Sequence, residues 1–399
     1  MTTNHFENGS LTREYAVKLI LLLGLVSLLA DVAYEGARSI VGPFFEVLGA
    51  SATVVGVVTG LGEFIGYGLR SIFGYLSDKR GEYWTPTILG YLSVFFSIPT
   101  LALVGYWELA AILLIVERMG KAVRTPARDA ILSYAASRVG RGWGFGLHEA
   151  MDQMGAVLGP LLVTAVLHFR GYSESFAFLA LPAGLALGVL LFCRKLYPSP
   201  QRLELREKGV EGGGRVSPIF WVYSVFVIIS VSGCASFPLI AYHLKLSSVF
   251  SDIQIPILFA LAMGVDALAA LLVGRVYDRV RLLSLVFIPS LILPIAPLAF
   301  LRGDQHLVIT AMLLWGAVMG VQETVMRAAV GEMSPLSRRG FTYGVFAALY
   351  GASWLFGNTV MGILYGISPN YLVIFSVSLE LLAFVPYFGL LKMDFEESR

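Results

Sequence analysis

Three groupings of acids and bases stand inside apolar runs of this chain, where a charge at a bilayer centre costs about 2.5–3.5 kcal/mol on insertion scales. In the run 15–48, Asp31, Glu35 and Arg38 fall at i, i+4 and i+7, so they project from one helical face. Glu35 and Arg38 are close enough to neutralise each other. That leaves Asp31, near the middle of the run, either to take up a proton or to pair with a base on another helix. Burial disfavours the charged form of an acid, which is the property proton coupling needs. In the run 108–125, Glu117 and Arg118 sit near the middle, while Lys121, Arg124 and Arg128 lie towards one end, where long basic side chains can reach back to water. In the run 142–169, His148 and Asp152 are one turn apart with Glu149 beside them. Imidazole with carboxylate suits a proton relay or a divalent cation, and a pairing with a neighbouring helix is the structural alternative. No metal site is assigned.

The other charged positions inside apolar runs are fewer. Glu63 and Arg70 are seven apart on one side of the second run and suggest a polar seam, and the second half of the chain adds Asp266, then Glu323 with Gln322 and Arg327. Tyr223, Trp315, Tyr350, Trp354 and Asn358 are expected to form an amphipathic, aromatic wall for a substrate.

The elements that must position these residues are membrane helices. Of 399 residues 57% are hydrophobic and 14% charged, with a mean hydropathy of +0.75, against roughly 25% charged in soluble domains. In lipid every backbone group must be paired within its own element, and a helix needs about 20 residues to cross. Twelve runs satisfy this: 15–48, 52–76, 84–105, 108–125, 142–169, 173–195, 218–244, 252–274, 282–301, 306–330, 340–366 and 370–392. The fold class is therefore all-α integral membrane. Residues 1–195 and 218–399 are expected to form two six-helix bundles, joined by a Pro-, Gly- and charge-rich linker at 196–217.

Lys and Arg concentrate on one side, at Lys79 and Arg80, Arg124 to Arg141, Arg194 to Arg215, Arg275 to Arg281, and Arg338 and Arg339. The other side has Arg170, Lys245 and Arg302. This bias predicts that both termini are cytoplasmic in a multi-pass protein of the cytoplasmic membrane. Residues 1–12 are polar without a basic cluster, and the run after them is longer than a signal core of about 7–15 residues, so the first span is expected to be retained. A net charge of +2 gives no reason to expect nucleic acid, and Cys193 and Cys234 are too far apart for a metal spacing. No phosphate-binding G-x4-G-K-[ST] loop occurs, which argues against an ATP-driven pump.

Two internal echoes imply a duplicated plan. Gly74-Tyr75-Leu76-Ser77-Asp78-Lys79-Arg80-Gly81 follows the second run, and Gly274, Asp278 and Arg279 repeat its Gly, Asp and basic residue 200 positions on. Arg141-Gly142, Gly146 and Gly159 are matched by Arg339-Gly340, Gly344 and Gly357 at an offset of 198. The first motif resembles the G-x-x-x-D-[RK]-x-G signature of the major facilitator superfamily of secondary transporters, with Glu82 and Tyr83 where that family usually has basic residues. Gly146-x8-Gly155-x3-Gly159-Pro160 resembles the family's helix-five signature of proton-coupled antiporters, with Val163 and Thr164 in place of its trailing glycines. Arg118 stands at the arginine of the helix-four motif, with Ala122 where that motif has glycine.

The resemblance implies two pseudo-symmetric bundles around a central cavity and alternating access. It also implies a cytoplasmic gate in which Gly74, Asp78, Lys79 and Arg80 engage the Gly340 end of helix eleven. The expected function is proton-coupled movement of a small molecule, outward by antiport, with protons as the coupling ion, no cofactor, the bilayer as surroundings and a monomeric chain. Uptake by symport and efflux of a divalent metal are the alternatives within transport. A non-transporting membrane enzyme or receptor is the alternative outside it, opposed by the lack of a nucleophile–base or metal-protease motif.

Overall fold

The computed structural model describes residues 13–203, 217–301, 303–334 and 339–397, and every regular element among them is helical. Twelve spanning units follow one another. In the first half they are α1 (Arg13–Val47), α2 (Ala52–Arg80), α3 (Trp84–Leu103), α4 (Trp107–Ala136), α5 (Arg141–Phe169) and α6 (Tyr172–Leu196). In the second they are α7 (Pro218–Leu246), α8 (Gln254–Val280), α9 (Phe287–Ile292 and Ile295–Phe300), α10 (Gln305–Met333), α11 (Arg339–Ile367) and α12 (Pro369–Glu397). Ten segments are long and apolar enough to cross a bilayer; one of them, Gln254–Phe300, holds both α8 and α9, and the remaining helix is the charge-dense α4. Most of the linker, residues 204–216, lies outside the described residues, as do Arg302 and Arg338.

Two helices run further than their apolar stretches. α2 continues through Gly74 and Asp78 to Arg80 and ends only at Gly81, whose φ of 63° is the left-handed stop that glycine adopts without a Cβ clash. The charged motif is thus the last turns of a helix and not a turn between helices. α4 passes through Pro126 to Ala136, and Thr125 Oγ1 donates to the Lys121 carbonyl at 2.7 Å beside the proline. In both cases the onset of charge marked the edge of hydrocarbon, while the helix goes on.

Equivalent contacts in the two halves carry the duplication. A Cβ on Gly159 of α5 would lie 3.0 Å from Val32 Cα of α1, and one on Gly357 of α11 would lie 2.7 Å from Ser232 Cα of α7. Gly74 faces Pro126 at 3.4 Å, and Gly274 faces Thr324 at 3.5 Å. Gly155 also packs on α1, with a Cβ position 3.0 Å from Asp31 Cβ. Gly146, the first glycine of the helix-five signature, differs from Gly155 and Gly159 in that nothing lies within 4 Å of its Cβ position. Pro160 leaves α5 unbroken, and Thr164 Oγ1 donates to its carbonyl at 2.8 Å.

The end of the bundle away from the basic loops is closed by backbone on backbone. A Cβ on Gly60 of α2 would stand 2.8 Å from Leu355 Cα of α11, one on Gly362 of α11 3.0 Å from Thr53 Cα, and one on Gly42 of α1 3.0 Å from the Tyr242 nitrogen of α7. Tyr242 Oη donates to the Ala50 carbonyl at 3.0 Å across the same seam. α7 breaks between Gly233 and Ser236, and three of the freed groups are met by side chains: Ser236 N–H donates to Asn358 Oδ1 at 2.8 Å, Trp315 Nε1 to the Ala235 carbonyl at 3.0 Å and Ser376 Oγ to the Gly233 carbonyl at 2.7 Å. Broken helices survive at membrane depth only when their backbone is satisfied in this way.

Candidate functional site: a charged cavity between the two halves

A cavity of about 310 Å³ runs from the middle of the bundle into the third nearest the basic loops. α1 lines it with Asp31, Glu35 and Arg38, and α2 with Glu63, Tyr67 and Arg70. α4 contributes Arg118, Lys121, Arg124 and Arg128, and α5 His148, Glu149 and Asp152. From the second half come Asp266 of α8, Glu323 and Arg327 of α10, and Tyr350 and Trp354 of α11. The i, i+4, i+7 spacing of α1 does put its three charges on one inward face.

An alternating ladder of charge forms the floor. Arg38 Nη1 lies 3.4 Å from Glu35, Arg38 Nη2 3.6 Å from Glu63, Arg118 Nη2 3.0 Å from Glu63 and Arg118 Nε 3.7 Å from Glu117. Both arginines also meet ring faces, Arg118 that of Tyr34 at 4.9 Å and Arg38 that of Phe259 at 5.8 Å. Glu117 corrects the sequence reading, because it does not line the main cavity. It turns to the other side of the ladder, into a void of about 30 Å³ bounded by Tyr34, Thr59 and Pro238. There its Oε1 has no partner.

Above the floor Arg128 pairs with its neighbour Asp129 at 2.9 Å, and the other charges of the cavity make no ion pair among the described residues. Asp31 and Asp152 have no hydrogen bond or ion pair among the described residues, and Lys121, one of the bases that act on Asp31, rests its Nζ 4.1 Å from the centre of the Tyr34 ring. His148 bonds through Nε2 to Ser27 Oγ at 2.9 Å, and that hydroxyl accepts from Arg128 Nη1 at 3.0 Å. His148 and Asp152 therefore do not form the one-turn pair that their spacing suggested. Among the described residues no three His, Cys, Asp or Glu side chains converge as a metal site would need.

Three members of the expected wall are corrected. Tyr223 is fully buried and donates to the Met326 carbonyl at 2.8 Å, while Trp315 and Asn358 are taken up by the break in α7. Tyr350 and Trp354 alone of that group face the cavity. Lys121, Arg124 and Arg128 also turn inward instead of reaching out to water; the recurrence of Arg118, Lys121, Thr125 and Arg128 every three or four residues was the signal for it. A π-helical turn at Gln322–Met326 sets Glu323, with Gln322 held by Tyr350 Oη at 2.9 Å, and nothing in the sequence announced it.

The gate residues Asp78, Lys79, Arg80, Asp278 and Arg279 are exposed at the basic end. Asp78 accepts from Tyr83 Oη at 3.1 Å within its own half, and nothing lies within 4 Å of a Cβ position on Gly340, so among the described residues the expected latch to α11 is not made in this conformation. Burial raises the Tyr83 phenol above the usual tyrosine range, with Tyr134 and Asp78 adding to the effect, so it remains a donor to Asp78 at neutral pH.

A helical membrane protein whose two repeated halves enclose a charged central cavity belongs to the architecture of secondary transporters. Matches to the family model described as Major Facilitator Superfamily span residues 23–357 and 224–398. The chain belongs to the major facilitator superfamily. It is 40% identical over 382 residues to an uncharacterized protein of Mycobacterium tuberculosis, covering 94% of this chain and 93% of that one. It is 27% identical to an uncharacterized MFS-type transporter of Methanocaldococcus jannaschii, covering 94% and 96%. Among solved structures, the nucleoside transporter NupG aligns with a TM-score of 0.74 at 11% identity, over 94% of this chain and 99% of that one. A bacterial homolog of the human lysosomal transporter Spinster aligns at 0.72 and 15%, over 95% and 97%. At these identities the likeness is one of fold.

Proposed function

We propose that the protein is a proton-coupled secondary transporter that moves a small hydrophilic molecule across the cytoplasmic membrane by alternating access, outward in exchange for protons. The observation that carries the coupling is Asp31, a carboxylate at mid-helix in the cavity with no ion pair, beside Asp152 and Lys121. Such a group can gain and lose a proton without breaking a structural contact. The bias of Lys and Arg supports a cytoplasmic position for the open end of the cavity, and on that reading this is the inward-open state. The helix-five signature, with Gly155 and Gly159 packed on α1 beside Asp31, favours the outward direction.

The experiment is flux in proteoliposomes under an imposed pH gradient. Asp31→Asn is expected to lose gradient-driven transport while keeping substrate exchange at equal pH; a variant with the wild-type response to the gradient removes Asp31 from the coupling. The gate gives a second prediction. In the opposite state Asp78 would leave Tyr83 and meet the start of α11, whose dipole is worth about 0.3–1 kcal/mol to a carboxylate. Asp78→Asn is therefore expected to slow turnover several-fold with unchanged yield and melting temperature, and unaltered turnover would dispose of the latch.

A further inference from the structure

Three unpaired bases and three unpaired acids of the cavity stand on different walls, with Glu149 adding to the acids and Glu323 and Arg327 of α10 supplying one charge of each sign. On the side of α4 and α2, Lys121, Arg124 and Arg70 are held over the faces of Tyr34, Tyr91 and Tyr67, at 4.1, 4.5 and 4.4 Å. On the side of α1, α5 and α8, Asp31, Asp152 and Asp266 have no ion pair among the described residues. Two of these groups make the point most sharply. Arg124 is 2% exposed and leaves Nε and Nη1 without a partner, and Asp266 is 4% exposed and leaves Oδ1 without one. An unpartnered buried ionisable group is costly to keep charged, and here these acids and bases share one cavity without meeting.

We infer that the substrate is a dipolar solute, one that carries a cationic and an anionic group at separate ends, with its anion on the Arg124 wall and its cation on the Asp266 wall. The inference rests on the transport reading and deepens it. A dianion would satisfy the basic wall and be repelled by the acids, and a dication would do the reverse. A solute with one charge of each sign completes both walls and keeps the net charge of the cavity unchanged. The volume of about 310 Å³ equals roughly ten waters at about 30 Å³ each, which is room for a molecule of amino-acid to dipeptide size.

The test is thermal unfolding of the purified full-length protein with matched solutes that differ only in their end groups, at constant ionic strength. The four-carbon set is succinate, γ-aminobutyrate and putrescine; the six-carbon set is adipate, ε-aminocaproate and hexamethylenediamine. In at least one set the amino acid is expected to raise the melting temperature with an apparent affinity about tenfold or more above both the diacid and the diamine, the worth of one charge-assisted hydrogen bond. Asp266→Asn is expected to move the preference towards the diacid and Arg124→Gln towards the diamine. A diacid or diamine that equals the amino acid in both sets, an absence of any shift, or a wild-type preference retained in both variants overturns the inference. Binding is read without flux, so a dipolar preference in a protein that fails the pH-gradient experiment would sink the coupling and leave this inference standing.

Discussion

Arg118→Met is expected to abolish transport and to lower stability by about 3–5 kcal/mol, the usual result of removing one partner from a buried ion pair. Arg118 is the only described residue that bridges Glu63 and Glu117, at 3.0 and 3.7 Å. Without it Glu117, 2% exposed, has no ion pair left among the described residues, and Glu63 keeps only the one with Arg38 at 3.6 Å. Methionine fills the space over Tyr34 that the guanidinium occupies, so the loss would be electrostatic and not a matter of volume. A double variant that also carries Glu117→Gln is expected to recover much of the stability but not the transport, because the ladder would still lack its central cation. Thermal unfolding in detergent and flux in proteoliposomes read the two effects separately. A single variant with wild-type melting temperature would mean that the ladder is not what holds α1, α2 and α4 together.

Gly56→Val is expected to reduce transport at least tenfold by acting far from any charge. The Cβ position of Gly56 clashes with the carbonyl oxygen of Asn358 and lies 3.2 Å from Gly362 Cα, so a side chain there cannot be accommodated by rotating a neighbour. Overpacking of this kind costs about 1–3 kcal/mol. The penalty falls only on the state in which this end is shut, so the equilibrium shifts towards the opposite state by about tenfold for each 1.4 kcal/mol. A cysteine introduced at Tyr350 in the cavity reads the shift through its labelling by a membrane-impermeant thiol reagent. Cys193 and Cys234 are fully buried and contribute little background. Slower labelling from the basic side is expected in Gly56→Val, with Gly56→Ala intermediate. Unchanged labelling together with unchanged flux would show that the seam does not carry the conformational change.

How much of this the sequence could reveal depends on what a helix exposes to inspection. The spans are legible because lipid forces long apolar runs, and the face of α1 is legible because Asp31, Glu35 and Arg38 leave only one orientation that keeps charge out of lipid. Tyr223 and Trp315 were misjudged because the stretches that carry them, Pro218–Gly233 of α7 and Gln305–Val321 of α10, are apolar on all sides, and a stretch without a polar stripe does not disclose which residues turn inward. The inward turn of Lys121, Arg124 and Arg128 was hidden by the end assigned to α4; ending that helix at 125 put these residues beside water, whereas it runs to Ala136. The pairing of Arg118 with Glu63 had no local signal at all, since it joins two helices whose spacing along the chain carries no geometry.

One detail of the ladder bears on how the chain could switch without passing through a state it cannot afford. Glu63 has two arginines within reach, one on α1 and one on α4. If the helices slide, one guanidinium can let go while the other still holds, and the carboxylate is handed across without ever standing alone in a medium that does not solvate it. Doubling of the counter-ion turns a rigid strut into a ratchet: the same charges that fix the resting arrangement keep the barrier to leaving it low.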